Sequence, residues 1–182
     1  TFSIAELGFG SGLNFLLTAD LFMRTAPKDA RLYYVSIEKH PIPRDVLSKI
    51  YRQWKPLQKI SRPVIAQYPP MIEGFHHIHF DNARIHLMLL WGDVADVLPE
   101  LSGLFDAWYL DGFAPAKNPA MWDDKLFPLI AERTKPGGTL ATFSSAGSVR
   151  RALAGVGFTV EKTKGFEKKR DMTVARLDTK MT

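Results

Sequence analysis

The sequence predicts an α/β domain, a mostly parallel sheet with helices on both faces, finished by a C-terminal antiparallel hairpin. Three observations carry that expectation. Short strand-like and helix-like segments alternate along the chain, the pattern of βαβ units with right-handed crossovers. A glycine loop, Gly8-Phe9-Gly10-Ser11-Gly12, separates the first strand-like run from the first helical one. The last two strand-like runs follow one another with no helical pattern between them. A length of 182 residues suits one domain with its own core, and 46% hydrophobic against 24% charged residues excludes a disordered or fibrous chain.

The elements follow in order. Residues 2–7 form a short apolar strand that enters the glycine loop. Residues 13–23 are apolar at helical spacing on more than one face, which predicts a buried helix ended before Pro27. Residues 32–37 form a second strand ending on Glu38, and residues 45–54 place Val46, Leu47, Ile50, Tyr51 and Trp54 on one helix face. No element is read between residues 55 and 74. Residues 75–90 hold two extended runs around Asp81-Asn82-Ala83-Arg84 and read as a hairpin. A short helix over 93–101 precedes a strand over 107–110 that ends on Asp111. A helix over 123–133, bent at Pro128, leads to a turn at Pro136-Gly137-Gly138 and a strand over 139–143. A helix over 145–154 stops at Gly155 and Gly157, and the runs 158–163 and 172–177 pair as the terminal hairpin.

Composition narrows the function. The absence of cysteine removes disulfides, thiolate metal sites and cysteine nucleophiles together, and fits a reducing compartment. The apolar runs are too short to span a bilayer, and no signal-peptide pattern opens the chain. Thr1 and the strand directly after it suggest that the natural protein begins earlier. The formal net charge of +5 is unevenly placed: ten Lys or Arg stand between Arg24 and Arg62 against three acids. Lys162, Lys164, Lys168, Lys169 and Arg170 form a second cluster. Both are compatible with a solvated surface and with an anionic macromolecular partner. His77 and His79 fall on one strand face with His86 across from them; without accompanying carboxylates or thiolates they predict a polar hairpin face and no metal.

In an open parallel sheet a ligand binds outside the carboxyl ends of the strands. Gly8, Gly10 and Gly12 lie there, where a backbone must approach a ligand closely, and Leu13 stands where a dinucleotide fingerprint needs its third glycine. Glu38 ends the second strand, where an acid reaches both ribose hydroxyls of an adenosine; pairing with Lys39 is its structural alternative. Asp93 is placed to accept the adenine amino proton or to cap the next helix, roles that can coexist. Asp111 delivers a carboxylate at a strand end beside the proline-punctuated loop Gly112-Phe113-Ala114-Pro115-Ala116-Lys117-Asn118-Pro119, where it can aim or deprotonate a nucleophile.

Glu6-Leu7-Gly8-Phe9-Gly10-Ser11-Gly12-Leu13-Asn14-Phe15 and Leu110-Asp111-Gly112-Phe113-Ala114-Pro115-Ala116-Lys117-Asn118-Pro119-Ala120-Met121-Trp122 resemble the methyltransferase domain of MnmC, the bifunctional tRNA 5-methylaminomethyl-2-thiouridine enzymes. Residues 136–143, 145–147 and 165–170 match as well, so the resemblance covers nearly the whole chain. It implies a Rossmann-like class I methyltransferase fold over residues 1–182, S-adenosyl-L-methionine as cofactor and a cytoplasmic location. The implied reaction methylates the amine of 5-aminomethyl-(2-thio)uridine at the tRNA wobble position, with Asp111 catalytic. Glu6, Gly8, Phe9, Gly10, Gly12, Asn14, Glu38, Lys39 and Asp93 would hold the cofactor. Phe113, Pro115, Asn118, Lys168, Lys169 and Arg170 would meet the tRNA anticodon region. The family's segment ahead of the first strand is missing here, and so is the FAD-dependent oxidase domain, which is then an expected partner, fused or separate. The alternatives are a methyltransferase for a small molecule, a nicotinamide oxidoreductase, disfavoured by Leu13, and a non-catalytic RNA-binding protein on the same scaffold.

Overall fold

A computed structural model describes residues 1–112, 122–123, 125–165 and 171–179. Among these residues, eight strands form one sheet: β1 (Phe2–Leu7), β2 (Leu32–Glu38), β3 (Gly74–Phe80), β4 (Ile85–Trp91), β5 (Phe105–Leu110), β6 (Thr134–Thr142), β7 (Phe158–Lys164) and β8 (Asp171–Leu177). Their spatial order is β3-β4-β2-β1-β5-β6-β8-β7. The stretch β4-β2-β1-β5-β6 is parallel throughout, β3 adds antiparallel to one edge, and the β8-β7 pair adds antiparallel to the other. Both expected hairpins are therefore present, each closing one end of the sheet.

Six α-helices cover the two faces: α1 (Leu13–Thr25), α2 (Arg44–Gln53), α3 (Gln58–Gln67), α4 (Val94–Glu100), α5 (Leu126–Glu132) and α6 (Gly147–Gly155). Strand alternation sorts the core into two layers. Ala5, Leu7, Val35 and Ile37 pack with Leu98, Phe127, Ile130 and Leu153 from α4, α5 and α6. Ile4, Leu32 and Tyr34 pack on the other face with Phe15, Leu47, Ile60 and Val64 from α1, α2 and α3. The largest fully buried side chain is Trp108, on the central strand β5.

Two elements differ from expectation. The stretch after residue 54 forms a single 3-10 turn (Lys55–Leu57) followed by α3, which carries Pro63 inside it. Leu57, Ile60 and Val64 do recur at helical spacing and are buried, but Pro56 and Pro63 interrupt the pattern as a sequence reader meets it. The turn at Pro136-Gly137-Gly138 is a bulge within β6: Phe105 pairs with Thr134 and Ala107 already with Thr139. Lys135, in the bulge, ties back to Asp106 at 2.7 Å.

The register fixes where a site can form. Leu7 pairs with both Ile37 and Leu110, and Glu38 pairs with Trp91, so β1, β2, β4 and β5 all end at one edge. The chain winds outward from β1 through β2, then returns through α4 to place β5 on the other side of β1. That reversal between β1 and β5 is the switch point at which an open α/β sheet has its crevice.

Candidate active site

The glycine loop leaves β1 at this switch point. Gly8 has φ of 94°, and a Cβ there would lie 3.0 Å from Gly112 Cα, so the loop and the Asp111–Gly112 backbone touch in a way that only glycine allows. Gly8 N–H donates to Ile37 O, and Asp111 N–H donates to Leu7 O, locking the three strand ends together. Gly12, at φ of 71°, precedes α1; a Cβ there would lie 2.5 Å from the Phe9 ring and 2.9 Å from the Tyr51 hydroxyl. Around Gly10, by contrast, a Cβ would meet nothing within 4 Å. The loop is thus packed at both ends and open in its middle, a cradle facing outward.

Carboxylates gather along this edge from four strands, β1, β2, β4 and β5. Glu38 accepts hydrogen bonds from Gly10 N–H (2.9 Å) and His40 N–H (2.7 Å), which draws the end of β2 against the loop. A carboxylate has about four acceptor positions, so a bound diol can still be held. Asp93 accepts from Ala95 N–H at 2.9 Å as the N-cap of α4, and from Lys39 Nζ at 2.7 Å. The Lys39 ammonium, and then the Ala95 amide, hold the Asp93 carboxyl below its ordinary range. A cavity of about 380 Å³ opens here, bordered by Lys39, Phe75, Trp91, Asp93 and Val97.

The third convergence involves Glu6, Asn14 and Asp111. Alternation turns Glu6, Ser36, Tyr109 and Asp111 toward the face that α1 covers. Asn14, in the first turn of α1, donates from its one amide nitrogen to Glu6 Oε1 (2.9 Å) and to Asp111 Oδ2 (2.8 Å). Ser36 Oγ donates to the other Glu6 oxygen at 2.7 Å. Glu6 is 1% exposed, and burial pushes its carboxyl up to about 8 against the opposing effect of its hydrogen bonds, with the nearby Asp111 adding to the rise. Glu6 therefore holds a proton through the neutral range, and Asn14 links this neutral acid to the half-buried Asp111. A small cavity of about 80 Å³ borders Asp111, lined also by Asn14, Tyr109, Thr142, Phe143 and Met172.

Of the expected cofactor residues, Glu6, Gly8, Gly10, Gly12, Asn14, Glu38, Lys39 and Asp93 all gather along this strand edge. Phe9 does so differently. Its ring is 3% exposed and packs toward Trp91, with centroids 6.3 Å apart, so it anchors the loop from beneath. Phe113, Pro115, Asn118, Lys168, Lys169 and Arg170 lie outside the described residues. Sequence reasoning missed Ser36, whose signal was a lone hydroxyl inside the apolar run Tyr33-Tyr34-Val35-Ser36-Ile37. It also missed Tyr51 and Tyr68, buried phenols whose hydroxyls have no hydrogen-bond partner among the described residues and which border the loop and Glu38. His79 and His86 pair across the β3-β4 hairpin with Nδ1 atoms 2.7 Å apart, beside His77, forming a polar face.

The open cradle, Glu38 with acceptor positions to spare, and buried phenols that lack partners among the described residues suit a nucleoside-bearing cofactor. Comparison with known proteins agrees. Residues 55–178 match the family profile described as S-adenosyl-L-methionine-dependent methyltransferase. The chain is 48% identical over 169 residues to the tRNA 5-methylaminomethyl-2-thiouridine biosynthesis bifunctional protein MnmC of Ectopseudomonas mendocina, covering 93% of this chain and 26% of that protein. The Aeromonas salmonicida protein of the same name is also 48% identical, over 176 residues. The chain thus spans about a quarter of the length of these curated relatives. Among solved structures, MNMC2 from Aquifex aeolicus superposes with a TM-score of 0.78 at 27% identity, covering 97% of this chain and 53% of that one. The antibiotic-resistance methyltransferase Kmr, at 13% identity and a TM-score of 0.55, shares the fold. By its profile match and the crevice at its β1–β5 switch point, the chain belongs to the S-adenosyl-L-methionine-dependent methyltransferase family.

Proposed function

We propose that this domain methylates the amine of 5-aminomethyl-(2-thio)uridine at the tRNA wobble position. The observation that carries the proposal is Asp111, held by Asn14 and by the backbone of Leu7 at the mouth of the glycine cradle. The names of relatives at 48% identity supply the substrate class.

The glycine loop and Glu38 would hold the amino-acid and ribose parts of the cofactor, and Asp93 its adenine. Bound there, S-adenosyl-L-methionine supplies a methyl group on a sulfonium sulfur, which an unprotonated amine takes up in line with the breaking C–S bond. The acceptor needs help for two reasons. An alkylamine has a reference pKa near 10.4 and is mostly protonated at neutral pH. It must also lie collinear with the donor, and such positioning is worth up to ~7–11 kcal/mol. Asp111 first orients the amine by accepting its hydrogen bond. A carboxylate with a reference pKa near 3.9 is a weak base for full abstraction, so water carries the proton away. Glu6, buried beneath α1 and tied to Asp111 through Asn14, would position Asp111 for the amine.

The base must leave its stack to enter the pocket. Phe113, Pro115 and Asn118 would receive it, and Lys168, Lys169 and Arg170 would meet phosphates. The relatives are named bifunctional and are about four times as long, which supports a second activity beside this one, and an FAD-dependent oxidase, fused or separate, would be that partner. A cytoplasmic location follows from the tRNA substrate, and no helix among the described residues is long and apolar enough to cross a membrane.

Nucleoside mass spectrometry of hypomodified tRNA treated with the protein and labelled cofactor tests the reading. Label in 5-methylaminomethyl-(2-thio)uridine is expected. Label confined to a small-molecule amine, or none with the cofactor bound, contradicts it.

A further inference from the structure

From the α2–α3 pair we infer a second, separate binding site, a groove that takes the phosphate backbone of RNA. The inference rests on the tRNA reading above and says where on this domain the RNA lies. Helices α2 and α3 pack against each other, and Arg44 at the start of α2 donates from Nε to Ile65 O near the end of α3 at 2.9 Å. Between them lies a groove of about 470 Å³ whose charged lining consists of Arg44, Arg52 and Arg62.

No acid lines it. The single acid of α2, Asp45, pairs with Lys49 at 3.9 Å, and α3 contains none. Arg62 gives one N–H to Gln58 Oε1 at 2.9 Å, and Arg44 gives Nε to Ile65, which fixes both guanidinium groups while leaving further donors on each. Planar guanidinium groups held in this way match phosphate oxygens.

The lining also says which part of the RNA would sit there. Stacking of bases on aromatic faces has no platform here, because the groove's one aromatic residue, Tyr51, is 3% exposed. The groove is thus fitted to backbone phosphates and contributes affinity without reading sequence. Tyr51 also connects it to the catalytic edge: the same residue that lines the groove has its hydroxyl against the Gly12 end of the cradle.

The test compares R52Q/R62Q with wild type and with K28Q/R31Q, a control that removes the same charge from the exposed α1–β2 connection at the opposite end of the sheet. tRNA binding is titrated across salt concentrations, and S-adenosylhomocysteine binding is measured by calorimetry as a check that the fold is retained. The groove variant should bind tRNA roughly 10-fold more weakly and lower the log–log salt slope by ~1–2, while the control keeps the wild-type slope. An unchanged slope in R52Q/R62Q overturns the groove as a phosphate site. Equal losses in both variants also overturn it, leaving general positive charge as the cause. Failure of the wild type itself to bind tRNA sinks the tRNA reading, and the groove with it.

Discussion

Two carboxyl groups share one asparagine in this site, and their environments differ. Glu6 is sealed beneath α1, while Asp111 sits half-buried at the strand end. Burial raises the Glu6 carboxyl to about 8, so this acid is set apart from an ordinary surface carboxyl by its environment. For Glu6 the consequence is a pH-dependent stability. The carboxyl ionises near 4.5 when unfolded and near 8 when folded. Its contribution is therefore complete below 4.5, falls as pH rises toward 8, and is constant above. Glu6→Gln should remove that decline, whose slope is at most ~1.4 kcal/mol per pH unit. Denaturant titrations of both proteins between these limits check it, and parallel curves would show that Glu6 is not held neutral. Asn14→Ala should release Asp111 and slow single-turnover methyl transfer by up to ~10²-fold, since small misplacements have that effect. A rate within a few-fold of wild type would mean that the tether positions nothing.

At the scale of elements, the glycine loop depends on contacts to its neighbours as much as on its own sequence. Gly8→Ala forces a side chain into the Gly112 backbone at positive φ, a strain of about 1–3 kcal/mol that should appear as lost thermal stability and weakened S-adenosylhomocysteine binding together. Loss of stability with binding intact would separate the loop from the cofactor site. The parallel strands and their loops were legible because each pairs a local signal with a fixed place in the sheet. Glu38 and Asp111 could be placed at strand ends from the apolar runs before them. Helix α3 was not legible because two prolines break its period, and the β6 bulge was not because Pro136-Gly137-Gly138 is also what a turn looks like. The Asn14 link was invisible for a different reason. It joins residues 8 and 97 positions away, and only the packing of α1 over the switch point brings them together.

For the whole molecule, four strand ends and one helix start meet at the edge where the cofactor site is proposed. A ligand bound there must stabilise the entire cooperative unit. S-adenosylhomocysteine at 100 times its Kd should add about 2.7 kcal/mol, a rise of several degrees in Tm for a domain of this size. Absence of any shift, with NAD producing one, would return the chain to nicotinamide chemistry. The account as a whole turns on Asp111 acting on the acceptor amine and not on the cofactor. Single-turnover methylation of hypomodified tRNA by Asp111→Asn, with S-adenosylhomocysteine affinity measured on the same protein, tests this most directly. The account predicts unchanged affinity and a rate lower by ~10²-fold or more, as for loss of a group that handles the reacting amine. A near-normal rate, or a loss of affinity that explains the whole decrease, would contradict it.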